Sequence, residues 1–106
     1  MIEKLIKEIQ PLVGKELDRA MAKNPPFHSA HEAYAVIREE VEEGREELDC
    51  IEDLLRFVWR DIRLDSVAWE RVALIREHAI DCAAEMIQVA AMCDKWTGGE
   101  GSEKND

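Results

Sequence analysis

An all-α fold is predicted by three observations. Apolar residues recur at helical spacing through three long segments. The strongest breaks fall at two short places, Asn24-Pro25-Pro26 and Leu64-Asp65-Ser66. No stretch alternates apolar and polar residues in the way a half-buried strand requires. A bundle of three to four helices, completed by oligomerisation, is the architecture this pattern implies.

The first helix is expected over residues 2 to about 22. Ile2, Leu5, Ile6, Ile9, Leu12, Val13, Leu17 and Met21 form one stripe. Pro11 interrupts it and predicts a kink or two shorter helices. Lys15, Arg19 and Lys23 place positive charge toward the C-terminal end, where the helix dipole favours it.

Ser29 opens the second helix as an N-cap, and Glu32 completes a capping-box spacing. Phe27 stands where it can staple the first turn. The apolar pattern then runs from Ala30 to about Arg63, with Gly44 marking a bend or a close helix contact. Asp65 or Ser66 is expected to cap a third helix over about Val67 to Lys95. That segment is apolar nearly all round, which predicts burial within a bundle. Residues 1–97 are read as one domain. The stretch Gly98 to Asp106 holds no apolar residue and reads as a disordered tail.

The 106 residues carry 24 acidic and 14 basic side chains, a formal charge of −10. That balance argues against a nucleic-acid polymer or an anionic membrane as partner, because both require basic patches. The N-terminal stretch is amphipathic rather than a signal peptide. No apolar run approaches a membrane span, so a cytoplasmic protein is expected. The cysteines are Cys50, Cys82 and Cys93, an odd set without Cys-x-x-Cys, and each sits in an apolar helical context. They read as reduced, buried thiols.

The chemistry-bearing stretch is Arg38 to Glu47. On a wheel of about 100° per residue, Glu40, Glu43 and Glu47 fall inside or at the edge of the apolar arc. Glu39, Glu42 and Glu46 fall outside it. Inward carboxylates raise each other's pKa and need either cationic partners or a hard divalent cation. The third helix offers Asp81, Glu85 and Gln88 on a narrow stripe shared with Glu77 and Lys95. Two such helices packed antiparallel would gather Glu40, Glu43 and Glu47 with Asp81, Glu85 and Gln88, holding four or five carboxyl oxygens around one point. Oxygen-only ligands of this kind favour Mg²⁺, Ca²⁺ or Mn²⁺, and ions bound partly through water point to Mg²⁺. The alternative is a bundle whose carboxylates pair with Arg or Lys of a neighbouring subunit. A di-iron oxidase is not expected, since no Glu-x-x-His occurs: the residues three before His28, His31 and His78 are Pro25, His28 and Ile75.

The pattern Glu39-Glu40-x-x-Glu43, followed by Glu85-x-x-Gln88-Val-Ala-Ala-Met, resembles the MazG-like nucleoside triphosphate pyrophosphohydrolases. The stretches HEAYAVIREE and EMIQVAAM carry the resemblance. It implies an all-α oligomer, a homodimer or tetramer, that hydrolyses a nucleoside triphosphate to the monophosphate and pyrophosphate with Mg²⁺. Glu40, Glu43 and Glu85 then match metal ligands. Gln88 stands where the family usually has Asp, and Asp81, one turn before Glu85, is the residue able to supply the missing carboxylate. Glu39 or Glu47 is expected to orient water, and Lys95 or Arg38 to contact phosphate. Because Gln88 supplies an oxygen but no charge, the alternative function is a weakened or inactive helical oligomer that binds a nucleotide or a protein. His78 lies next to the acidic stripe and is read as structural, and Trp59, Trp69 and Trp96 as core or interface residues.

Overall fold

A computed structural model describes residues 2–98, and the expected tail from 99 onward lies outside the described residues. Three helices follow in order: α1 (Ile2–Lys23), α2 (Ala30–Arg63) and α3 (Trp69–Thr97). The all-α expectation holds. Among the described residues no helix is long and apolar enough to cross a membrane.

α1 runs through Pro11 as one helix rather than two. α2 starts where expected. The Ser29 hydroxyl accepts from the Glu32 backbone N–H at 3.1 Å, and the Glu32 carboxylate accepts from the His28 N–H at 2.8 Å. The box therefore closes one residue earlier than its usual partner, the cap residue itself. These contacts, led by the His28 backbone N–H, hold the Glu32 carboxyl below its ordinary value.

Asp65 does not cap α3. It adopts φ 54° and ends α2 instead. The Ser66 N–H donates to the Asp61 carbonyl at 2.8 Å, and the Asp65 N–H to the Ile62 carbonyl at 3.2 Å. This is the Schellman pair of bonds, with a left-handed Asp in the place that Gly commonly holds. α3 begins two residues later than expected, at Trp69, and ends before Gly98 at φ 74°.

The chain divides into two compact units. The first contains α1, α2 up to Val41 and α3 from Met86. The second is Glu42–Glu85, the rest of α2 and α3. In the second unit the two helices are antiparallel, since contacts join Gly44 to Cys82, Glu47 to His78 and Asp61 to Arg71. Gly44 is buried, and its carbonyl accepts from the Cys82 thiol at 3.6 Å. The helix thus passes Gly44 without a break and makes the close contact expected there.

Among the described residues the buried apolar ones are Ala33, Ala91 and Met92, all in the first unit. This corrects the expectation that α3 is buried along its length. Trp69 is 80% exposed, and Val72, Leu74 and Ile80 are exposed too. Trp59 and Trp96 are likewise exposed, so no tryptophan serves as core within this chain. Cys50 and Cys93 are exposed and Cys82 is half-buried, all three as free thiols. Their apolar neighbours on the wheel are themselves uncovered, which is why an apolar context did not mean burial.

Candidate functional site

In the second unit Glu43, Glu46, Glu47, Asp81, Ala84 and Glu85 line a cleft of about 360 Å³. α2 contributes three carboxylates at spacings of three and four, and α3 contributes two at a spacing of four, so each set shares a helix face. Antiparallel packing turns the two faces toward each other. Glu85 is half-buried, and its Oε2 is buried without a hydrogen-bond donor. Burial pushes its carboxyl above the ordinary range. The Glu43 carboxylate, within hydrogen-bond reach, raises it further, and the charges of Glu43, Glu47 and Asp81 add to the effect. Two ionised carboxylates are both acceptors, so Glu43 and Glu85 can bond only through a shared proton. An ion would satisfy the same oxygens.

At one corner of the cleft, His78 Nδ1 lies 3.1 Å from Glu47 Oε2. Glu47, His78 and Asp81 each bring a ligand atom within 4.8 Å of the others.

In the first unit, Glu40 and Gln88 line a pocket of about 480 Å³ together with Glu16, Arg19, Lys23, Phe27, His28 and Lys95. Gln88 Nε2 donates to Glu16 Oε2 at 3.3 Å. Lys95 Nζ stands 4.4 Å from the centre of the Phe27 ring. Arg19 Nη1 donates to Glu16 Oε1 at 2.6 Å.

No protein-family model, curated protein or solved structure matches the chain.

Each unit holds some of the expected site residues. Glu43, Glu47, Asp81 and Glu85 share the cleft of the second unit. Glu40, Gln88 and Lys95 share the pocket of the first. Glu39 is exposed on α2, and Arg38 Nη1 donates to the Tyr34 hydroxyl at 3.3 Å. Glu46 is not among the expected site residues, and His78 is read as structural on the sequence. Glu46 lies outside the apolar arc yet lines the cleft, because the cleft opens to solvent at the rim of that arc. His78 precedes Asp81 by three, one turn along the same face, and that spacing is the signal that could have found it.

Proposed function

We propose that the chain is a divalent-cation-dependent hydrolase of nucleoside triphosphates, releasing pyrophosphate, that works as an oligomer of identical subunits. The observation that carries this reading is the buried, donor-free Oε2 of Glu85, whose carboxyl has Glu43 within hydrogen-bond reach, in a cleft of five carboxylates. The donor set is all oxygen apart from His78, which suits Mg²⁺ or Mn²⁺. Glu43 and Glu85, with Asp81, would hold the ion. When bound, it would offset phosphate charge and acidify a coordinated water.

The chain's own residues supply the rest. Glu47, held by His78, is fixed in orientation and able to accept a proton from water in the cleft. The first unit, taken by itself, has a pocket that carries Arg19, Lys23 and Lys95 beside the Phe27 ring. Its carboxylates Glu16, Glu32 and Glu40 keep it from being a purely anionic site.

Self-association is supported by the second unit. It has no buried apolar side chain among the described residues, while Leu55, Phe57, Trp59, Ile62, Trp69 and Val72 are exposed. A two-helix hairpin with that surface gains little from folding alone.

A second reading, a binding oligomer without turnover, is favoured by Gln88. It is neutral, and its amide donates to Glu16.

The test is pyrophosphate release from a panel of ribo- and deoxynucleoside triphosphates, with Mg²⁺, with Mn²⁺ and with chelator. Turnover is expected with metal, falling at least about 100-fold in Glu85→Gln and in Glu43→Gln. Absence of release with every nucleotide and metal would leave the binding reading. In that case Gln88→Asp separates the two: new metal-dependent turnover marks an attenuated enzyme.

A further inference from the structure

We propose that Glu47, His78 and Asp81 form a transition-metal site that takes Zn²⁺ or Co²⁺ in preference to Mg²⁺. The three residues come from both helices of the second unit, Glu47 from α2 and the His78-x-x-Asp81 pair from consecutive turns of α3. Their ligand atoms lie within 4.8 Å of one another. Ligands about 2.1 Å from a tetrahedral ion stand about 3.4 Å apart, so side-chain rotation closes the set.

The imidazole decides the kind of ion. Mg²⁺ and Ca²⁺ take oxygen and leave nitrogen, whereas Zn²⁺ and Co²⁺ accept imidazole and carboxylate together. One imidazole with two carboxylates is a three-ligand set. It leaves a fourth position open into a cleft with room for several waters.

The simpler account is a half-exposed His78–Glu47 pair at 3.1 Å. That account does not use Asp81, which brings a ligand atom within 4.8 Å of those of both partners. It also leaves five carboxylates, Glu43, Glu46, Glu47, Asp81 and Glu85, around one cleft. A single imidazole does not balance that many carboxylates. A doubly charged ion offsets two of them. The site stands whether or not the cleft hydrolyses a nucleotide.

The test uses the whole chain, stripped of metal and held in millimolar Mg²⁺. Co²⁺ is titrated by its visible absorption, and Zn²⁺ by competition with a chromogenic chelator. One equivalent is expected to bind through nitrogen and oxygen. In His78→Gln the affinity for both ions is expected to fall at least about tenfold, with Mg²⁺ affinity unchanged. In Glu85→Gln the Co²⁺ spectrum is expected to persist. Circular dichroism establishes that each variant keeps its helices. If His78→Gln does not fold, Asp81→Asn replaces it, with the same tenfold loss expected. Wild-type Co²⁺ and Zn²⁺ affinity in the folded variant would overturn the site. So would complete displacement of Co²⁺ by millimolar Mg²⁺. A chain that binds Co²⁺ through His78 but releases no pyrophosphate would overturn the hydrolase reading and leave this site standing.

Discussion

Glu85 carries a cost that depends on pH. Its carboxyl is raised first by burial and then by Glu43, so the folded chain holds that proton more tightly than the unfolded chain does. Stability from a raised carboxyl is present in full below the ordinary value of 4.5 and is lost as pH rises through the raised one. The metal-free protein is therefore expected to lose thermal stability from this group as pH rises from mildly acidic toward neutral. Glu85→Gln removes that loss. Melting temperatures of both proteins in chelator, compared across that range, check this: their difference should grow with pH in favour of the variant. A constant difference would mean that Glu85 titrates as it does in the unfolded chain. Adding the cleft's ion should reverse the order. At about ten times its Kd, a ligand specific for the native state adds about 1.4 kcal/mol, or very roughly 5–10 °C for a domain of this size.

The helix ends make a second set of expectations, at the level of the element. Asp65 holds φ 54° because α2 closes with a Schellman pair of bonds. Asp65→Ala keeps the Cβ but loses the short polar side chain that tolerates this conformation, and is expected to cost about 1 kcal/mol. Asp65→Gly should be neutral or stabilising, and urea unfolding distinguishes the two. At the other end, Ser29→Ala removes the acceptor for the Glu32 N–H and is expected to cost about 1 kcal/mol. The elements were largely legible in the sequence, because Pro25-Pro26 and the Leu64–Ser66 turn leave few places for a helix to stop. The role of Asp65 was not. A short polar residue between two helices suits the N-cap of one and the left-handed C-terminal position of the other, and only the backbone decides between them. The acidic cleft was half legible. Periodicity within α2 picked out Glu43 and Glu47, but His78 and Glu46 gain meaning only from the register of α2 against α3. A wheel drawn for one helix contains no such register. Burial was the least legible feature, since an apolar arc states which face wants covering and not what covers it.

At the scale of the whole molecule, that uncovered face leads to the last prediction. In a chain that remained alone, replacing an exposed tryptophan would change stability by no more than about 0.5 kcal/mol. Trp59 is 58% exposed and Trp69 80% exposed. If the second unit is instead covered by another copy, these large apolar side chains become interface residues. Tryptophans at the centre of interfaces commonly contribute 2 kcal/mol or more, about 30-fold in Kd. Trp59→Glu and Trp69→Glu also introduce a charge that must be desolvated on association, into a chain that already carries −10. The unmodified protein is expected to sediment as a dimer or larger, with a melting temperature that rises with protein concentration. The glutamate variants are expected to shift toward monomer and to lose that concentration dependence. Helicity should fall with the same dilution that dissociates them, because a hairpin without a buried apolar side chain has little else to hold it. A monomer of full helicity at micromolar concentration, unchanged by either substitution, would show that the hairpin stands without a partner, and the shared-subunit picture would fall with it.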